Sequence, residues 1–270
     1  MALLTFLCAV AAALVVRGPG AVVGVVVLAA VFVPLERCVA LHRIRVLRRG
    51  LLADLTHLLL NATIVAVLTI VGVVVSTAPL WWVRAVDVEG RLPAPASVAL
   101  AVVLVLVAQY WAHRFTHQVP ALWRFHAVHH SIEEMDWVAS ARLHPLDQAI
   151  TQTFTAMPLV LLGYRPGAVA GLTVAVALLA IFQHANVRLR FPGLRWVVNT
   201  PEWHHWHHAR DPEARDRNFG LPVVDLAFGT AYLPRGRRAR SFGTDEPVPA
   251  AGYVAQLVYP FRPPHERPLA

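Results

Sequence analysis

An all-α, polytopic membrane protein is the fold class this chain predicts, with about four transmembrane helices, a further re-entrant or spanning hairpin, and a cytoplasmic helical cap rich in histidine. Three observations carry that expectation. Apolar residues make up 57% of the chain and charged residues only 15%, against roughly 25% charge in soluble domains. The apolar residues gather into runs of membrane-helix character, separated by Gly, Pro and Arg. The histidines collect where those runs end.

Leu3 to Val16 and Ala21 to Leu35 read as a helical hairpin turned by Arg17-Gly18-Pro19-Gly20. The first arm falls short of the approximately 20 residues of a full span, so it is expected to tilt or to span incompletely. It has no basic start, and more hydrophobic sequence follows Ala11-Ala12-Ala13, which favours a retained helix over a cleaved signal peptide. Arg37, Arg43, Arg45, Arg48 and Arg49 then mark the cytoplasmic side by the positive-inside rule. Leu51 to Pro79 is the next span, ending at Trp81-Trp82, a pair suited to the headgroup belt. Residues 83 to 97 make the opposite surface. Val98 to Trp111 returns, and its helix continues through His113 and His117 until Pro120 stops it.

A second hairpin, Ala149 to Leu162 and Ala168 to Phe182, turns at residues 163 to 167 and brings His184 back to the face that His144 left. From Arg188 the chain is polar and rich in Arg and Pro, which predicts the cap, with one apolar patch at Leu221 to Phe228. Residues 1–260 are expected to form one unit without internal repeats, and 261–270 a poorly ordered tail.

The formal charge of +8 comes entirely from arginine, since the chain has no lysine. No nucleic-acid recognition motif accompanies that charge in so hydrophobic a chain, so anionic headgroups are the expected counterions and nucleic acid is not an expected partner. Cys8 and Cys38 are too few for a disulfide framework, and Cys8 reads as a small buried hydrophobe.

Most of the 14 histidines fall in clusters: His113 and His117; His126, His129 and His130; and His204, His205, His207 and His208. Residues three or four apart on a helix are neighbours, so each cluster can aim imidazoles at a common point, whereas His205 turns away from His204 and His208. Imidazole suits zinc, copper, iron and nickel, but a tetrahedral zinc site uses at most four ligands; eight or more converging imidazoles imply two metals. Ionisable groups at the edge of a bilayer are costly unless paired or liganded. Zinc would suffice for hydrolysis, whereas a di-iron centre could activate oxygen at an unactivated hydrocarbon.

The patterns His113-Arg-Phe-Thr-His117, His126-Ala-Val-His129-His130 and His204-His-Trp-His207-His208, the last preceded by Asn199-Thr200-Pro201-Glu202, resemble the three histidine boxes of the fatty acid hydroxylase and sterol desaturase superfamily. The resemblance runs from about Tyr110 to Pro234 and includes Arg142-Leu-His144-Pro-Leu-Asp147, Gln183-His184-Ala-Asn186, Asn218-Phe-Gly220 and Phe228-Gly229-Thr230. It implies a membrane enzyme with a cytoplasmic di-iron site, using dioxygen as co-substrate and electrons from an external reductase chain to hydroxylate or desaturate a lipid, with hydroxylation favoured on the family's breadth. By position, the resemblance makes His113, His117, His126, His129, His130, His204, His207 and His208 the box ligands and His184 an additional one.

His144, Asp147 and Asn186 are candidates for a further ligand or for a partner of a ligand's outer nitrogen; Asp136 is a weaker candidate for the latter. Asp211 and Asp216 have the competing use of pairing with Arg210 and Arg215, and His42 and His57 read as interfacial or packing residues. Trp203 and Trp206 suit either a pocket wall or a headgroup anchor. No glycine-rich flavin or nicotinamide fingerprint is present, in keeping with an external electron donor. The alternative reading is a membrane zinc-dependent hydrolase or a metal transporter. A transporter would place its ionisable groups near the midplane, and a hydrolase would need a dedicated acid or base beside a metal-bound water.

Overall fold

The computed structural model describes residues 2–189, 192–250 and 252–263. It is helical, with no strand among the described residues and only two isolated bridges, Ala40 to Val187 and Ala209 to Phe242. The helices are α1 (Ala2–Arg17), α2 (Pro19–Cys38), α3 (Leu51–Thr77), α4 (Val88–Arg91), α5 (Ala94–Gln118), α6 (Pro120–His130), α7 (Pro145–Leu161), α8 (Pro166–His184), α9 (Pro201–His207), α10 (Pro222–Ala227) and α11 (Tyr253–Val258). Proline opens six of them at the first position, where its fixed φ suits the helix and its missing N–H is not needed. Pro120 therefore does more than stop α5: it starts α6 and so aims the second histidine cluster.

Among the described residues, four stretches are long and apolar enough to cross a membrane: Pro19–Cys38, Leu51–Arg91, Ala94–Gln118 and Pro166–His184. The number matches the expectation, in which the first arm and the second hairpin could each span or fall short. At 16 residues α1 is too short, whereas α8 reaches 19 because Pro166 extends its start and Gln183 and His184 extend its end. α7 packs between α3 and α5, and α1 lies against α3. Val67, Ile70, Val71, Val74 and Val75 of α3 point outward and exposed, which suits a surface bathed in hydrocarbon. Cys8 and Cys38 are also exposed, so Cys8 is not the buried residue its apolar neighbours suggest.

Five helix ends meet at one end of the bundle. Glu36 near the end of α2 accepts from the backbone N–H groups of Trp137 and Asn186, both at 2.8 Å. Asp54 in the first turn of α3 receives two hydrogen bonds from Arg142, and Asn61 donates to the Leu143 carbonyl at 2.7 Å. The C-terminal ends of α5 and α8 and the N-terminal end of α7 complete the group through the histidine contacts described below. The arginine stretch lies at this same end, with Arg37, Arg43, Arg45 and Arg49 exposed. Arg48 is the exception: it is buried and pairs with Asp136 and Asp54. Of the expected tail, residues 264–270, including His265, lie outside the described residues. Its start is docked, with Arg124 donating to the Arg262 carbonyl at 2.8 Å.

Candidate metal centre

Two nests of histidine form at this end. His113, His117, His126, His130 and His207 make the first; His129, His184, His204 and His208 make the second. Within each nest, one nitrogen from every ring lies within 4.8 Å of all the others. These are the nine histidines that the boxes and the end of α8 single out in the sequence. The partition follows from helix geometry. A residue four positions on is rotated by only about 40°, so the pairs His113/His117, His126/His130 and His204/His208 each stay together. A residue three positions on is rotated by about 60° the other way, so His129 leaves His126 for the second nest and His207 leaves His204 for the first. The nests adjoin, with the His130 and His208 rings stacked at 4.4 Å.

The outer nitrogens fix which inner atom faces the nest. Nδ1 of His113 lies 2.7 Å from the Phe219 carbonyl, that of His207 2.7 Å from the Arg217 carbonyl, that of His129 3.0 Å from the Arg142 carbonyl, and that of His184 2.6 Å from the Ala180 carbonyl. A carbonyl only accepts, so each of these Nδ1 atoms carries the proton and each Nε2 presents a lone pair. His126 uses Asp147 in the same way, at 3.0 Å, and His117 uses Asp216, at 3.3 Å. The inner Nε2 atoms then face one another at 3.2 Å in His113 to His126 and in His129 to His184. Lone pairs aimed at each other repel, and Nε2 of His117 is buried without any partner. A cation between them removes both faults, so the donor set fits a metal in each nest.

Burial, reinforced by neighbouring histidines, holds His129, His130, His204 and His208 well below the usual imidazole range. Burial likewise lowers His207 to about 3. These five rings are therefore neutral at physiological pH, the form that ligates.

The carbonyls that orient these rings are themselves held. Asp216 and Asn218 have positive φ, 55° and 59°, which turns the 215–220 loop back over the first nest. Asn218 donates to the carbonyls of Trp203 and Tyr232 and accepts from Tyr232 N–H. Asp225, wholly buried, accepts from the N–H groups of Phe219 and Gly220, both at 2.9 Å, and from the Thr230 hydroxyl at 2.7 Å. On the other nest, Arg142, whose carbonyl orients His129, is gripped by Asp54, which also binds Arg48, which binds Asp136.

Three of the candidates play other parts. His144 caps α7, its Nδ1 accepting from Leu146 N–H and its Nε2 donating to the Leu257 carbonyl, so neither nitrogen reaches a nest. Asn186 clasps the backbone of His42 through both amide atoms. Asp136 grips Arg48 instead of a histidine. Asp147 does sit behind His126. Asp211 pairs with Arg237, leaving Asp216 to His117. His205 points away, 3.3 Å from the His184 carbonyl and edge-on to Phe242. His57 packs against Tyr253, and Trp203 and Trp206 are buried within the protein.

Two spaces open on the nests. A cavity of about 160 Å³ between α5, α7 and α8 touches His113 and His126 of the first nest and His129, His184 and His204 of the second. A cleft of about 530 Å³ on the cap side reaches only the first nest, at His117, His130 and His207, and is rimmed by Arg210, Arg215, Asp216 and Asp245.

Residues 98–230 match the family model described as fatty acid hydroxylase. The match takes in all nine histidines and ends at Thr230, close to the span expected from the motifs. Among characterised proteins, the ornithine lipid hydroxylase OlsE of Rhizobium tropici is 32% identical over 171 residues, covering 63% of this chain and 51% of that protein. The alkylglycerol monooxygenase of Danio rerio is 35% identical over 156 residues, covering 55% and 33%, and that of Homo sapiens is 32% identical over 128 residues, covering 45% and 27%. The chain thus spans about half the length of the first of these relatives and about a third or less of the other two. No solved structure matches.

Proposed function

This chain belongs to the fatty acid hydroxylase and sterol desaturase superfamily, and from that premise we propose that it is an oxygen-dependent lipid hydroxylase holding one iron ion in each histidine nest. The observation that carries the proposal is the pair of adjoining nests, in which six of the nine rings are fixed from behind by a carbonyl or carboxylate so that their inner nitrogens present lone pairs. Bound there, a redox-active metal pair would supply the oxygen activation that imidazole alone lacks. One C–H bond and one dioxygen, with two electrons and two protons from an external reductase, would give one C–OH and one water.

The protein's part is to position. His113, His117, His126, His130 and His207 would ligate one ion, and His129, His184, His204 and His208 the other. Asp147, Asp216 and the four carbonyls keep the protons on the outer nitrogens. The cavity between α5, α7 and α8 would hold the lipid against both nests, and Val176, Ala177 and Ala180 give it a dry wall on α8. The exposed arginines at this end of the bundle support a cytoplasmic placement, where a reductase can reach the charged cleft. Hydroxylation is preferred to desaturation because the relatives carry hydroxylase and monooxygenase names.

The test is turnover under ¹⁸O₂ with a lipid extract and a reducing system. The expected product is a hydroxylated lipid bearing one ¹⁸O atom. Label arriving from H₂¹⁸O instead, with no need for a reductant, would support the zinc hydrolase and end this reading.

A further inference from the structure

A separate groove opens at the arginine-rich end of the bundle, on the side of α2 and α3. It measures about 610 Å³, within the ordinary range of ligand sites. One part of its wall is apolar. Val25, Val26, Ala29 and Val33 fall at helical spacing on one face of α2, and Leu51 and Leu55 add the start of α3. From Val25 to Val33 the stripe runs about 12 Å at the helical rise, most of the roughly 15 Å that one leaflet of hydrocarbon occupies. Arg37, in the last turn of α2, and Arg43 and Arg45, in the loop after it, line the other part. The floor is fixed by Trp137, which stacks on Phe32 at 5.9 Å and donates its N–H to Glu36.

The groove carries an unbalanced positive charge. Its two carboxylates already have partners: Asp136 grips Arg48 with both oxygens at 2.6 Å, and Glu36 accepts from the N–H groups of Trp137 and Asn186. The guanidinium groups of Arg37, Arg43 and Arg45 are exposed and have no ion pair or hydrogen bond among the described residues. Other surface arginines are held, Arg165 by Glu89 and Arg237 by Asp211 and Glu213. With Asp136 neutralised by Arg48, three guanidinium groups stand against the one carboxylate of Glu36, directly beyond an apolar stripe.

The structure assigns to this groove one anionic phospholipid of the surrounding membrane, its phosphate on Arg37, Arg43 and Arg45 and an acyl chain along the α2 stripe. Guanidinium groups match phosphate oxygens in geometry and charge, and a basic pocket beside membrane helices recognises such headgroups. A zwitterionic lipid brings its own cation among the three arginines, and a soluble phosphate ester leaves the apolar wall bare. None of the nine nest histidines lines the groove, so this lipid is bound apart from the metal centre and the inference stands without the hydroxylase reading.

Native mass spectrometry of the full chain in detergent, titrated with dioleoylphosphatidylglycerol, dioleoylphosphatidylcholine or glycerol 3-phosphate, tests it. One phosphatidylglycerol per chain is expected, bound roughly tenfold more tightly than phosphatidylcholine and not displaced by glycerol 3-phosphate. The double change Arg43→Gln with Arg45→Gln is expected to weaken it roughly tenfold to thirtyfold at unchanged helicity. Arg84→Gln with Arg91→Gln, the same loss of charge at the opposite surface, is expected to leave it unchanged. Val26→Trp fills the apolar wall at an exposed position and removes no charge, and is expected to weaken it roughly fivefold. Phosphatidylcholine or glycerol 3-phosphate bound as tightly as phosphatidylglycerol overturns the inference. So does equal weakening by the two arginine pairs, which marks diffuse attraction, or undiminished binding by the Arg43 and Arg45 variant. If Val26→Trp loses helicity, the arginine variants and the wild-type series decide alone.

Discussion

Asp225→Ala is expected to empty one nest before the other, although the residue touches no histidine. Its carboxylate accepts from two backbone N–H groups, Phe219 and Gly220, in a fully buried setting. Thr230 can turn its hydroxyl to Tyr110, 2.9 Å away, but the two N–H groups have no such recourse. At about 1–3 kcal/mol for each orphaned donor, the loop loses about 2–6 kcal/mol of support. That loop carries the Phe219 and Arg217 carbonyls, which hold His113 and His207 of the first nest. Loss of such an outer partner typically costs 10–100-fold in metal affinity. The second nest takes its carbonyls from Arg142 and Ala180, on other elements, and should be spared. Titration against a metal-buffering chelator, with iron counted per chain, reads the difference directly: about one iron retained at a concentration that leaves two on the wild type. Parallel loss from both nests, or no loss, would refute the chain of contacts from Asp225 to the rings.

Three further outcomes follow from the same contacts. Asp54→Ala leaves Arg48 and Arg142 short of a buried counter-charge, at about 3–5 kcal/mol, and should weaken the second nest first, because the Arg142 carbonyl orients His129; thermal unfolding and iron content in the same sample check both parts. In metal-stripped protein, burial lowers His205 and His207 to about 3, so between the ordinary imidazole value of 6.5 and that range the unfolded chain binds protons that the folded chain refuses. Stability should therefore be complete above pH 6.5 and fall as the pH is lowered below it; a denaturant midpoint unchanged between pH 7.5 and 5 would contradict this. A membrane-impermeant hydrophilic chelator should strip the first nest ahead of the second, since the cap-side cleft reaches only His117, His130 and His207, and biphasic iron release is the measured sign.

Much of the centre was legible because helix periodicity acts over one turn. The pairs His113/His117, His126/His130 and His204/His208 could be read from four-residue spacing alone, and His205 could be set aside by the same rule. The division into nests could not, because spacing shows only that His129 diverges from His126 and His207 from His204; which nest each joins depends on how the separate helix ends are brought together. Long-range pairings were equally hidden. Arg48 is 88 residues from Asp136, and its position in a run of arginines suggested a surface charge where the fold needed a buried one. Asp216 reaches His117 through a positive-φ turn that spacing does not reveal, and the nearby arginines offered it a simpler use. His144 and Asn186 stand in motifs beside true nest residues, yet one caps α7 and the other clasps the chain at His42. The span count was legible in the apolar runs, but which of the short runs cross was left open, because helix caps, which decide whether 16 or 19 residues are helical, lie outside those runs.

Anomalous diffraction at the iron edge, from crystals of the iron-loaded protein, addresses the di-iron assignment most directly. Two peaks per chain are expected, one among His113, His117, His126, His130 and His207 and one among His129, His184, His204 and His208. A single peak, or signal that appears only at the zinc edge, would contradict it.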